Sequence, residues 1–207
     1  MVNFYIFRHG QTEWNKERRL QGLADNALNS TGLEQARELA RLLKEIDLDL
    51  LAASPLKRAQ QTVEIVAQAL ALPVVTDKRL REVDLGEADG MTLAEFKEKF
   101  GDEYLTRFIT SGRKEDIGLA LPDGELKSHA LSRALTALVD IAQSPTSKHI
   151  GVCCHGLIMM LLLRHSGYEG DCPVSNGDLV QLVFADGKLS FKEYFPNKIK
   201  TLGIFGY

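Results

Sequence analysis

The chain has 207 residues, 44% hydrophobic and 26% charged, and its 25 Lys and Arg against 28 Asp and Glu give a formal net charge of -3. That balance matches an ordinary globular protein with one large core and excludes a disordered or fibrous chain. It leaves no basic footprint for nucleic acid, so an anionic ligand would have to be met by a local cluster of arginines.

Three cysteines, Cys153, Cys154 and Cys172, are too few for a disulfide framework and fit a reducing cytoplasm. The N-terminal apolar residues follow no charged stretch, so they read as a strand rather than a signal peptide. The run Leu157 to Leu163 is far short of the ~20 residues a membrane span needs and reads as a buried helix, so no membrane partner is expected.

Phe4 to Phe7 form an apolar strand that stops at Arg8, His9 and Gly10. Ligands of open α/β sheets bind beyond the carboxyl ends of the strands, which makes this the expected place of chemistry. Gly10 suits a sharp turn and a close backbone approach to a ligand. The polar stretch from Glu13 to Gly22 lacks a clear period and reads as a loop over the site, with Asn15 and Gln21 as amide donors. Ser30 or Thr31 then caps a helix with apolar positions Leu33, Ala36, Leu39, Ala40, Leu43 and Ile46, and Glu34 completes a capping box with Thr31.

Leu48 to Ala53 is a second strand, followed by Ser54 as cap and Pro55 as first residue of a new helix. Arg58 falls in that helix's first turn, where the dipole favours anions, so a cation there implies an anion beside it. Pro73 to Thr76 is a third strand, and an acidic loop carrying Glu82 follows it. Residues 88–128 read as an insertion or lid of short helices, in which Arg107, Arg113 and Lys114 are candidates to meet a second anionic group. Pro122 to Glu125 turn the chain into a long amphipathic helix. His149 to Cys154 form a fourth strand that ends at His155 and Gly156, with Cys153 and Cys154 facing opposite sides. Leu179 to Ala185 and Lys188 to Phe195 flank Asp186-Gly187 as a closing hairpin.

Strand ends and strand–helix junctions therefore carry Arg8, His9, Arg58, Glu82 and His155. Arginine forks match phosphoryl oxygens, neutral imidazole is a competent nucleophile toward phosphorus, and Glu82 can serve as acid and then as base. Other phosphate chemistries fit less well. A cysteine phosphatase needs an arginine six positions after its cysteine, where Met159 and Met160 stand, and no nucleotide-triphosphate loop occurs. Two arginines would repel a metal, so no metal is expected, and the chemistry above calls for no cofactor.

In order, Arg8-His9-Gly10-Gln11-Thr12, Asn15, Arg58, Glu82 and His155-Gly156 resemble the histidine phosphatase superfamily, which includes the cofactor-dependent phosphoglycerate mutases. The resemblance covers most of the chain. It implies an α/β fold, a three-layer α/β/α sandwich whose central sheet is mostly parallel with an antiparallel edge, in a single domain over residues 1–207. It also implies phosphorylation of His9, phosphoryl binding by Arg8, Arg58 and His155, proton donation by Glu82, and a pocket lined by Asn15, Gln21, Gly22 and Gly156. Ala88-Asp89-Gly90, Gly124-Glu125-Leu126 and Leu157 depart from the family's usual Trp-Glu-Gly, Gly-Glu-Ser, and Gly or Asn, which bears on substrate recognition. The expected activity is hydrolysis of a small phosphorylated metabolite. A phosphoglycerate mutase and a non-catalytic phospho-ligand module are the alternatives, and oligomeric state is left open. Leu85 at the place of a mutase tyrosine, and the lack of adjacent arginines between Glu82 and His155, favour the hydrolase.

Overall fold

The computed structural model describes residues 1–109, 117–144, 148–170 and 174–199. These form strands β1 (Val2–Arg8), β2 (Leu50–Ala53), β3 (Val74–Thr76), β4 (His149–Cys154), β5 (Leu179–Ala185) and β6 (Lys188–Phe195). The helices are α1 (Glu13–Lys16), α2 (Ser30–Leu43), α3 (Lys57–Leu70), α4 (Leu93–Phe100), α5 (Asp102–Ile109), α6 (Lys127–Ala142) and α7 (Gly156–His165). None of these helices is long and apolar enough to cross a membrane.

One six-stranded sheet has the order β3-β2-β4-β1-β5-β6, parallel from β3 to β1, with β5 and β6 antiparallel at one edge. Alternation along β1 sends Phe4 and Ile6 into one core with residues of α6 and α7, and Tyr5 and Phe7 into a second core with residues of α2 and α3. Helices thus cover both faces, which gives the three layers. Adjacent Cys154 and Cys153 divide between the same two cores, as the strand period requires. Every residue of α7 from Gly156 to Leu163 is buried, which accounts for its apolar character all round.

Several local expectations are corrected. The Glu13–Gly22 stretch is not all loop, because Thr12 and Asn15 form a capping box that starts the single-turn helix α1. Asn29, not Ser30 or Thr31, caps α2, its side-chain oxygen accepting from the Gly32 amide at 2.9 Å, so the Thr31–Glu34 box does not form. α3 begins at Lys57 after Leu56, so Ser54 and Pro55 precede the helix rather than cap and open it. Gly10 is required by a protein contact: a Cβ there would lie 2.3 Å from the carbonyl oxygen of Gly32 in α2.

Candidate active site

Register brings the carboxyl ends of three parallel strands together. Arg8 pairs with Cys154, Ala53 pairs with Cys153, and the residues that follow, His9, Ser54 and His155, meet at that edge. The rings of His9 and His155 stand 5.2 Å apart. A pocket here is lined by Arg8, His9, Asn15, Arg19, Leu20, Gln21, Glu82, Leu85, Gly156 and Leu157.

His9 is buried, and its Nδ1 lies 2.7 Å from the carbonyl oxygen of Gly10. A carbonyl only accepts, so Nδ1 carries the hydrogen and Nε2 carries the lone pair. Arg58 Nε donates to that Nε2 at 3.1 Å. Burial first, then Arg58 and Arg8, hold the imidazole pKa well below its usual value, so the ring is neutral at physiological pH.

Arg8 and Arg58 are both buried. Burial lowers each guanidinium to about 10, partly opposed by the nearby Glu82, and both remain charged at neutral pH. Arg8 donates through Nη1 to the Val174 carbonyl at 2.7 Å, while its buried Nε has no partner among the described residues. Arg58 also donates to the carbonyls of Ala24 (2.7 Å) and Gly22 (2.8 Å), which leaves two of its five hydrogens uncommitted. The partners that its place near the start of α3 called for thus include two carbonyl dipoles.

Glu82 follows a 3-10 turn at Lys78–Leu80 rather than β3 directly. Its Oε1 accepts from the amides of Val83 (2.9 Å) and Ile158 (3.2 Å), and its Oε2 accepts from Leu157 (3.0 Å). The carboxyl thereby caps α7, whose N-cap residue His155 supplies no side-chain cap. Burial raises its pKa, opposed by the Val83 and Leu157 amides and by the two arginines. Oε2 makes one bond, so a lone pair remains for a proton on the pocket side.

His155 hydrogen-bonds Ser54 Oγ at 2.7 Å through Nε2, and its buried Nδ1 has no partner among the described residues. Burial and the arginine charges hold its pKa well below the usual value. Asn15 uses Oδ1 to accept from the Thr12 amide and from Asn176 Nδ2, each at 3.1 Å, which leaves its Nδ2 hydrogens for the pocket. Gln21 bonds Thr12 Oγ1 at 2.8 Å and lines the same wall. Gly22 does not line it: its amide donates to Asp89 and its carbonyl accepts from Arg58. Arg107 is exposed on α5 and lines none of this pocket, while Arg113 and Lys114 lie outside the described residues.

Sequence reading missed the residues that hold this arrangement. Asp89 accepts from the Gly22 (2.8 Å) and Ala24 (2.9 Å) amides, so it holds the two residues whose carbonyls accept from Arg58. Arg133, from α6, donates to the carbonyls of Arg79, Arg81 and Glu82 and to both carboxylate oxygens of Glu125, pinning the backbone of the Glu82 loop. Asn176 donates to the His9 carbonyl at 3.1 Å, and Thr62 Oγ1 accepts from the Gly10 amide at 3.1 Å. Asn176 stands in the run Ser175-Asn176-Gly177-Asp178, whose turn-forming residues just before a strand are a signal that was available. Thr62 and Arg133 gave none, since their partners are distant in sequence, and Asp89 stood out only as part of the Ala88-Asp89-Gly90 departure from the family pattern.

This geometry can be set beside known proteins. Residues 4–195 match the family described as "Histidine phosphatase superfamily (branch 1)". The chain belongs to that superfamily. The "Uncharacterized phosphatase PhoE" of Bacillus subtilis (strain 168) is 32% identical over 201 residues, covering 95% of this chain and 96% of that protein. The "Probable phosphoglycerate mutase GpmB" of Enterobacter sp. (strain 638) is also 32% identical, over 163 residues, 79% of this chain and 74% of that one. Among solved structures, a mycobacterial glucosyl-3-phosphoglycerate phosphatase in complex with VO3 superposes with a TM-score of 0.80 at 26% identity, covering 93% of this chain and 98% of that one. The superfamily's relatives thus carry both phosphatase and mutase names.

Proposed function

We propose that the protein is a phosphomonoesterase that hydrolyses a small organic phosphate through a phosphohistidine on His9. The observation that carries this reading is the His9 imidazole: neutral, held with its lone pair on Nε2, and set beside two buried arginines. In the first step Arg58 Nε gives up its hydrogen bond to Nε2, the freed lone pair attacks phosphorus, the P–O bond to the alcohol breaks, and the departing oxygen takes the proton of Glu82. In the second step water attacks the phosphorus, Glu82 takes a proton from that water, and the N–P electron pair returns to Nε2. Arg8, with its unpartnered Nε, and the remaining hydrogens of Arg58 neutralise the phosphoryl oxygens, with amides of Asn15, Gln21 and the Gly156 backbone along the wall.

Hydrolysis is favoured over isomerisation because a mutase must hold its alcohol dry while it turns to accept the phosphoryl group. Leu85 lines the pocket where a gripping phenol would be needed, and it offers only methyl groups. The test is turnover of an aryl phosphate quenched rapidly in base, together with 3-phosphoglycerate given catalytic 2,3-bisphosphoglycerate and followed by coupling to enolase. Acid-labile phosphate on His9 is expected from the first, lost in His9→Ala, and slow phosphate release without 2-phosphoglycerate from the second. Rapid isomerisation would replace the hydrolase with a mutase; normal turnover by His9→Ala would end the covalent mechanism.

A further inference from the structure

Arg19 lines both the catalytic pocket and a neighbouring open groove of about 770 Å³, whose walls include Trp14, Glu87, Asp89, Glu95, Glu98 and Lys99. Trp14 is the residue before pocket-lining Asn15, and its indole packs on Gly90, where a Cβ would come within 3.1 Å of Cη2. A phosphoryl group drawn to the buried, unpartnered Nε of Arg8 would sit in the catalytic pocket, and the groove on the other side of Arg19 is neighbouring space open to whatever is esterified to it.

The lining states what that alcohol is. Four carboxylates face two cations, and both cations are paired: Arg19 with Glu17 at 2.9 Å and Glu95 at 3.6 Å, Lys99 with Glu87 at 2.8 Å. Asp89 spends its oxygens on the Gly22 and Ala24 amides, and Glu98 adds negative charge. A second anionic group on the substrate would meet net negative charge with no uncommitted cation among the described lining residues, and like charges at this range repel. Carboxylates are strong acceptors for hydroxyl donors, and an indole face takes the flat apolar side of a ring. Building on the phosphomonoesterase reading, we propose that this groove is the leaving-group subsite and that it selects monophosphates of uncharged, polyhydroxylated ring alcohols over phosphates carrying a second anion.

Binding to His9→Ala, which holds ligand without turnover, tests this by calorimetry with glucose 6-phosphate, 6-phosphogluconate and inorganic phosphate. Glucose 6-phosphate should bind about tenfold tighter than 6-phosphogluconate and tighter than phosphate. Adding Trp14→Ala should weaken glucose 6-phosphate by about tenfold and leave inorganic phosphate unchanged. Adding Glu98→Lys should narrow the discrimination against 6-phosphogluconate by about threefold. Equal or tighter binding of 6-phosphogluconate, no gain of the sugar phosphate over phosphate, or an unchanged ligand order in Trp14→Ala would overturn the subsite. These binding outcomes do not depend on catalysis, so an intact ligand order in a protein that releases no phosphate would remove the hydrolase reading and leave the groove standing.

Discussion

Glu82 is a residue with two occupations that pull its protonation in opposite directions. Three amide contacts, two of them from the start of α7, favour the carboxylate, while its burial favours the acid and prevails, raising the pKa above the usual 4.5. An acid with a raised pKa loses its proton as pH rises, so activity on alkyl phosphates should fall on the alkaline side, along a limb lying above pH 4.5. Glu82→Gln keeps an acceptor for one of the two α7 amides but has no acidic proton to give. It should abolish that limb and slow alkyl phosphates by about 10²–10⁴-fold, with a much smaller loss for aryl phosphates whose leaving groups need no proton. Steady-state pH profiles on one substrate of each kind decide it, and an alkaline limb that survives in Glu82→Gln would move the acid to Asp84 or Glu87.

Among the elements, the turn after β1 is seated on α2 by a contact between two glycines. A Cβ on Gly10 would meet the Gly32 oxygen at 2.3 Å, and one on Gly32 would meet the Gln11 oxygen at 2.1 Å. Both obstacles are backbone, so neither can swing aside, and Gly10 also offers the carbonyl that fixes the His9 tautomer. Gly10→Ala should therefore cost about 1–3 kcal/mol, a Tm loss of roughly 3–10 °C, and should depress kcat as well because the imidazole anchor moves. Gly118→Ala, where a Cβ meets nothing within 4 Å, is the control and should change neither. Thermal melts and turnover on the two variants check this; a Gly10→Ala protein with unchanged Tm would mean that the junction is looser than the contact implies.

For the molecule as a whole, the site carries a stability cost that depends on pH. His9 and His155 are buried and neutral, with pKa values well below 6.5. The unfolded chain takes up their protons as pH drops through about 6.5 and the folded chain does not, so their contribution is complete above that pH and declines below it, by up to about 1.4 kcal/mol per pH unit for each. Glu82 acts oppositely: its raised pKa lets the folded chain bind a proton first, which adds stability as pH falls toward 4.5. Two histidines outweigh one carboxyl, so Tm should decline between pH 7 and pH 5 in phosphate-free buffer, since bound phosphate would itself stabilise the fold. Replacing both histidines with asparagine should flatten the slope, and a wild-type Tm constant across that range would contradict the buried neutral pair.

Much of this protein was determined locally along the chain. Apolar runs of strand length, the 3.6-residue period of α2 and α3, the all-apolar α7 and the Asp186-Gly187 hairpin are each set by neighbours in sequence, and so is the alternation that parts Cys153 from Cys154. Arg8, His9, Arg58 and His155 were readable because each ends or follows a strand or opens a helix, and strand ends of a parallel sheet share one edge; Glu82 was read in the same way although a 3-10 turn separates it from β3. What only the tertiary structure decided is everything that depends on partners far apart in the chain. Ser54 reads as a helix cap until β2 and β4 place it against His155, and Gly10 reads as a ligand contact until α2 brings up the Gly32 carbonyl. Asp89 and Arg133 carry no local signature of the bonds they make, because a carboxylate's or guanidinium's role is set by which backbone groups it can reach, and those groups lie from 51 to 67 residues away. Periodicity is a property of adjacent residues, whereas a hydrogen bond across the fold exists only once the layers have packed.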